Sequence, residues 1–216
     1  MTRKEFVKTC GLLGISIPLQ SIFTSCNKEI IEPSDFNGSV LIIGAGAAGM
    51  VAGYLLEQRG IDFQILESST TYGGRMKQTT SFVDFPIPLG AEWLHAPEVE
   101  LTNIVNNSST QISTQFKSYQ EGDQIGYYEN GSLSYSNIFT EFGNDFSDKK
   151  FIDSTWFDFF EEYIVPMINS KMSFNTQITS VDYQGDKVIA TDSNSQTYEA
   201  DKLIVSVPLK ILQEGE

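Results

Sequence analysis

In Ser39-Val-Leu-Ile-Ile43 the four residues after the serine are all apolar, and they run straight into Gly44-Ala45-Gly46-Ala47-Ala48-Gly49. A continuous apolar, β-branched run of this length fits a parallel strand buried on both faces. The glycines then dictate the geometry of the next turn and helix. Gly44 permits a tight turn, Gly46 lets a pyrophosphate approach the backbone, and Gly49 lets a helix pack closely on the strand. A helix opening near Ala47 aims its free N–H groups at the phosphates. Its apolar positions, Val51, Ala52, Leu55 and Leu56, have helical spacing, and Gly60 is a stop signal. A second strand, Asp62-Phe-Gln-Ile-Leu66, ends at Glu67, an acid placed where ribose hydroxyls are bound. A lone glycine spacing is weak evidence. Strand, glycines, helix, strand and acid in this order predict a dinucleotide-binding, Rossmann-like α/β domain.

Glu67 can serve the adenosine ribose of FAD or of NAD, so this unit leaves the two open. The residues after it carry a resemblance. Glu67-Ser-Ser-Thr-Thr-Tyr-Gly73-Gly74-Arg75 resembles the acid and Gly-Gly-Arg signature of the flavin-containing amine oxidase, desaturase and protoporphyrinogen oxidase superfamily. Leu89-Gly90-Ala91-Glu92-Trp93-Leu94-His95 is similar to the Gly-Ala-x-Trp-[IL]-His stretch of the polyamine-type amine oxidases, which continues into glycine where this chain has Ala96-Pro97. Phe174-Asn175-Thr-Gln-Ile178 resembles the segment whose Val or Ile backbone bonds the adenine. The resemblance implies FAD as cofactor. It implies cofactor contacts from Gly44 to Gly49, from Glu67, Gly74 and Arg75, from Gly90, Ala91, Glu92 and Trp93, and from Ile178. Glycine at such places allows close backbone approach, and Arg offers charge-assisted donors to phosphate.

Three alternating segments come next, Ile178–Tyr183, Lys187–Ala190 and Gln196–Ala200, punctuated by Gln184-Gly-Asp186 and Asp192-Ser-Asn194, and they predict a β-meander. Ala200-Asp201-Lys-Leu-Ile-Val-Ser-Val-Pro208-Leu209 looks like the family's strand returning to the main sheet. Between the two cofactor-binding pieces, residues 97–170 read as the first part of an inserted substrate domain. Asn130-Gly131 marks a hairpin turn, and Thr155 to Val165 reads as a helix ended by Pro166. Its stripe of Trp156, Phe159, Phe160 and Tyr163 suits plain core better than a substrate wall. The expected organisation is therefore a cofactor domain in two pieces, 38–96 and 171–216, around the partial substrate domain 97–170.

Met1 to Cys26 reads as an address rather than fold. Arg3, Lys4 and Lys8 precede a weakly apolar run too short to cross a bilayer. Thr2-Arg3-Lys4-Glu5-Phe6-Val7-Lys8 resembles a twin-arginine export signal, and Phe23-Thr24-Ser25-Cys26 resembles a bacterial lipobox. Export to the cell envelope with a lipid at Cys26 is the expectation, and residues 27–37 form a tether. That lipid would be the only membrane contact. A formal charge of −14 argues against nucleic-acid partners. Acidity attracts cationic amines or simply keeps the chain soluble. Cys10 and Cys26 are the only cysteines and have no zinc-type spacing, so no metal is expected.

By resemblance the activity is oxidation of amines to imines, with polyamines or other primary and secondary amines as substrates. His95, the only histidine, is the substrate-pocket candidate. Acid–base chemistry, tunnel lining and a purely structural hydrogen bond all suit it. Glu92 suits either an ammonium contact or a backbone contact beside the flavin. Family members run about twice this length, so a missing C-terminal half is expected to supply the rest of the pocket. Two alternatives remain open: a desaturase- or protoporphyrinogen-oxidase-like flavoprotein, and a non-catalytic flavin-binding chain.

Overall fold

The computed structural model describes residues 35–143 and 147–214. The expected export signal, Cys10, Cys26 and most of the expected tether lie outside the described residues. All described residues fall in one compact unit.

Strand β1 (Ser39–Ile43) leads through the glycine turn into helix α1 (Ala47–Gln58) and strand β2 (Asp62–Leu66). Side chains alternate across a strand, so β1 feeds two cores. Val40 and Ile42 point into the larger core with Phe63 and Ile65 of β2, and Leu41 joins Leu66 in a smaller core on the opposite face. That is the two-sided burial expected of the unbroken apolar run.

Helix α1 buries Met50 and Tyr54 more deeply than Val51, Ala52, Leu55 and Leu56. Gly49, Met50, Gly53 and Tyr54 face inward, and Val51, Ala52 and Leu56 pack at the margin of the core. The reason is proximity. A Cβ on Gly53 would sit 2.8 Å from the Phe63 ring, and one on Gly49 would sit 2.0 Å from the Gly44 carbonyl. Two glycines one turn apart let the helix lie almost on the strands. Gly60, at φ +66°, ends the helix with the Gly60 and Ile61 N–H groups returning to Glu57 and Leu56.

The chain then makes short strands β3 (Gln78–Thr79), β4 (Ile87–Pro88) and β5 (Trp93–Leu94), and helix α2 (Val99–Val105). Strand β6 (Phe116–Ser118) is followed by the hairpin of β7 (Gln124–Glu129) and β8 (Ser132–Asn137). Asn130 and Gly131 both take positive φ at its turn, which is why that dipeptide is found there. Helix α3 (Ile138–Phe142), strand β9 (Lys149–Phe151) and helix α4 (Trp156–Tyr163) complete the middle segment. Pro166 does not end this helical stretch. It lies in the first turn of a further helix, α5 (Val165–Ile168), where its missing N–H costs no hydrogen bond.

Phe159, Phe160 and Tyr163 are buried among one another and belong to the larger core, so the aromatic stripe of α4 is core. Leu101 and Val105 of α2 join the same core. The Tyr54 hydroxyl donates to the Val105 carbonyl at 2.7 Å. The middle segment therefore shares its interior with the strands of the cofactor-binding unit.

Strand β10 (Met172–Ser173) pairs parallel with β2. Strands β11 (Ile178–Asp182), β12 (Val188–Asp192) and β13 (Thr197–Ala200) form the antiparallel meander, whose Ala190 and Ala200 cover Leu41 and Leu66. Strand β14 (Lys202–Val205) runs parallel to β1 in the register Val40–Lys202 to Ile43–Val205. The main sheet is all parallel, in the order β10-β2-β1-β14. Helix α6 (Leu209–Glu214) comes last.

Candidate functional site

At the C-terminal ends of the parallel strands lies a cavity of about 730 Å³. Open parallel sheets bind ligands at this end. Gly44, Gly46, Ala47 and Ala48 form one wall, Glu67 to Ser69 a second, and Gly73 to Met76 a third. Thr176, Gln177 and Ile178 close it from the meander side, and Ser206, Val207 and Pro208 from β14.

The glycines divide the work. Gly44 takes φ +102°, open to glycine at little cost. Gly46 has an ordinary φ of −80°, and a Cβ there would meet nothing within 4 Å. Its missing side chain therefore serves no protein contact and leaves bare backbone facing the cavity, next to the first turn of α1. The Gly73 N–H donates to the Ala45 carbonyl at 2.9 Å, and a Cβ on Gly74 would lie 3.3 Å from the Gly46 Cα. The Gly-Gly-Arg segment is thus pressed onto the glycine loop. Arg75 is exposed at the rim, and its guanidinium has no carboxylate partner among the described residues.

Glu67 is held by two backbone N–H groups. Oε2 accepts from Ala45 at 2.7 Å and Oε1 from Ser69 at 2.8 Å. Its own backbone pairs with the segment that carries Ile178: the Glu67 N–H donates to Ser173, and the Thr176 N–H donates to Glu67. Among the residues expected to contact the cofactor, Ala45 and Gly49 do not line the cavity. Ala45 is fully buried and contributes its backbone groups to Glu67 and Gly73, and Gly49 holds the helix against Gly44.

The Gly90–His95 stretch splits four ways. Gly90 and Ala91 brace Arg75 rather than face this cavity. The Ala91 N–H donates to the Arg75 carbonyl at 2.9 Å, and a Cβ on Gly90 would sit 2.0 Å from that oxygen. Glu92 forms an ion pair with Lys150 beside a second cavity of about 520 Å³, lined also by Phe85, Pro88 and Phe151. The Trp93 carbonyl accepts from the Trp156 indole at 3.1 Å, tying β5 to α4. His95 is largely exposed, and its Nδ1 lies 2.6 Å from Asp148 Oδ2.

Ser206 has no signal in the sequence. Its hydroxyl reaches the carbonyls of Ile43 at 2.9 Å and Gly44 at 3.0 Å, and so braces the tight turn from the neighbouring strand. Thr176 is likewise visible only after folding.

The cradle fits the diphosphate and ribose of a dinucleotide. Bare backbone stands at Gly46, donors at a helix N-terminus, an acid at the end of β2 and a free guanidinium at the rim. Residues 42–107 match the family described as NAD(P)-binding Rossmann-like domain, and residues 162–215 match flavin containing amine oxidoreductase. Lysine-specific histone demethylase 2 of Homo sapiens is 23% identical over 291 aligned residues, covering 100% of this chain and 34% of that protein. Polyamine oxidase 3 of Oryza sativa subsp. japonica is 42% identical over 67 residues, covering 31% of this chain and 14% of that protein. The chain thus spans about a third or less of these relatives' length. A solved putrescine oxidase, a triple mutant with redesigned cofactor binding, superposes with a TM-score of 0.58 at 13% identity, over 82% of this chain and 59% of that one. At that identity the likeness speaks for the fold. The second matched stretch begins in α4 and ends in α6, and it includes Ile178, β14 and Ser206, so both stretches build the same cradle, and its cofactor is FAD. Through these two stretches the chain is similar to Rossmann-like dinucleotide-binding domains and to the flavin-containing amine oxidoreductases.

Proposed function

We propose that this chain holds the FAD of an oxidoreductase that converts amines to imines, with polyamines or other primary and secondary amines as substrates. The observation that carries the proposal is the cradle itself: Gly46, Glu67, Gly74, Arg75 and Ile178 line a single cavity although they come from three separate stretches of sequence. Arg75 supplies charge-assisted donors to the diphosphate. The first turn of α1 supplies N–H groups and a favourable dipole. Glu67 accepts from the adenosine ribose, and the Ile178 backbone meets the adenine. Held by these residues, FAD would supply the two-electron acceptor for amine oxidation, with oxygen as the terminal oxidant reduced to peroxide. His95 faces the incoming amine, and Glu92, paired with Lys150, borders the neighbouring cavity.

The residues before the fold support a second part of the proposal: export to a bacterial cell envelope and lipid attachment at Cys26. Mass spectrometry of the membrane-extracted protein tests this, since lipidation removes residues 1–25 and adds acyl mass to Cys26.

The chain is expected to give a flavin absorption spectrum and to release FAD on denaturation, and the protein with its pocket complete is expected to produce peroxide with members of an amine panel. FAD without peroxide on any amine favours a flavin-binding role without amine turnover. A folded chain that takes up no FAD overturns the proposal.

A further inference from the structure

We propose that Asp148 fixes the imidazole of His95 in the tautomer that carries its proton on Nδ1, leaving Nε2 as an outward-facing acceptor for the N–H of an amine. The role of Nε2 rests on the reading above, in which His95 faces the substrate. The tautomer rests on geometry alone.

Asp148 Oδ2 lies 2.6 Å from His95 Nδ1. An ionised carboxylate can only accept, so the ring nitrogen donates. The hydrogen bond made by one ring nitrogen decides which form the other takes, and Nε2 is left with its lone pair. The backbone puts the two residues opposite each other. Strands β5 and β9 are antiparallel with Leu94 paired to Lys149, and one step further the same register sets His95 against Asp148. The Asp148 side chain is 18% exposed and that of His95 67%, so a sheltered anchor holds a ring that reaches outward. The Trp93 ring meets the imidazole edge-on at 6.0 Å and limits its swing. Neither neighbouring lysine competes for the anchor, because Lys149 pairs with Glu98 at 2.6 Å and Lys150 pairs with Glu92. Asp148 is therefore a positioning residue, acting on an amine through His95.

His95 is the only histidine in the chain, so one labelled residue reports the whole effect. The full chain is labelled with ¹⁵N-histidine and purified without a histidine tag. Long-range ¹H–¹⁵N spectra are then recorded at a pH where the ring is neutral. The expected result is an Nδ1 shift of the protonated type and an Nε2 shift of the unprotonated type. In Asp148→Ala the major form is expected to change to Nε2–H. Should that variant fail to fold, Asp148→Asn takes its place. Its amide offers a donor as well as an acceptor, so the excess of the Nδ1–H form shrinks. Nε2–H as the major form in the unaltered chain, or an unchanged tautomer ratio in the folded variant, overturns the proposal. The spectrum needs no turnover. Absence of peroxide with every amine sinks the amine reading and leaves the tautomer intact, and the reverse outcome separates them equally well.

Discussion

Asp201 and Ser39 lie 162 positions apart, and the Asp201 carboxylate accepts from the Ser39 backbone N–H at 2.7 Å and from its hydroxyl at 3.2 Å. This contact ties the start of β1 to the start of β14, across the seam where the two family-matched stretches meet. Lys187 sits 2.8 Å from the other carboxylate oxygen. The Lys187 hydrogen bond first, and the Ser39 N–H next, hold the Asp201 carboxyl at about 2, below its ordinary 3.8. A carboxyl depressed on folding stabilises above its unfolded value and loses that contribution as pH falls toward its folded value. The window here runs from about pH 4 to about pH 2. Asp201→Asn is expected to lower stability at neutral pH and to flatten the acid-unfolding profile within that window, followed by tryptophan fluorescence. Superimposable acid profiles for the two proteins would count against the linkage.

Glu67 offers a binding test. Both of its oxygens accept from backbone N–H groups, at Ala45 and Ser69. In Glu67→Gln one oxygen becomes an NH₂ that must face another donor. Hydrogen bonds to a charged group contribute about 1.5–3 kcal/mol each, and about 1.4 kcal/mol is tenfold in affinity. FAD affinity is expected to fall on the order of ten- to hundredfold, measured by flavin fluorescence titration. An unchanged affinity would remove Glu67 from the cradle's working parts.

Gly46 and Gly49 make opposite predictions although they stand three residues apart. Gly46→Ala adds a methyl that touches no protein atom, so thermal stability should stay within about 0.5 kcal/mol, while FAD affinity drops about tenfold or more because the methyl occupies the diphosphate position. Gly49→Ala gains about 1 kcal/mol of helix propensity. It also forces a Cβ to within 2.0 Å of the Gly44 carbonyl, and overpacking of this kind costs about 1–3 kcal/mol, occasionally more. The clash is against backbone, so the cost wins and the melting temperature falls by several degrees. Calorimetry with and without FAD reads both variants. A Gly46→Ala protein that melts early but binds normally would reverse the assignment.

Tyr54 tests the union of helix α1 with the middle segment. Its hydroxyl donates to the Val105 carbonyl, which also accepts from Gln58 Nε2 at 3.1 Å. Because that carbonyl keeps one donor, Tyr54→Phe should cost about 0.5–1.5 kcal/mol and lower the melting temperature by a few degrees. Burial raises the Tyr54 hydroxyl above its ordinary 10.0. Its contribution is complete below pH 10 and is lost as pH rises further. Alkaline unfolding should therefore be less steep in the phenylalanine variant.

What could be read from the chain was whatever local chemistry dictates. The strand, glycine turn, helix, strand and Glu67 come from spacing alone, as does the Asn130-Gly131 hairpin, because each depends on residues a few positions apart. The inward face of α1 combines Met50 and Tyr54 with two glycines, and glycine carries no weight in a hydrophobic pattern. In the fold, small size at Gly49 and Gly53 decides the contact. Gly90 looked like a cofactor contact, yet its smallness accommodates the Arg75 carbonyl. The partner of His95 lies 53 positions away, just before a strand whose pairing no local signal predicts. Ser206 is equally silent until β14 lies beside β1.

The strand order carries a consequence for synthesis. β1 is completed on one side by β2, about 20 residues later, but on the other only by β14, more than 160 positions down the chain. At roughly 5–20 residues per second, a ribosome leaves that second edge open for on the order of ten to thirty seconds. During that wait the nascent chain exposes an apolar strand with unpaired backbone groups, a template for mispairing between chains on one polysome. The Gly44 turn also lacks its Ser206 brace until then. Cofactor capture is thus tied to residues translated long after the glycine turn, and slow codons ahead of β14 would prolong the exposure of that open edge.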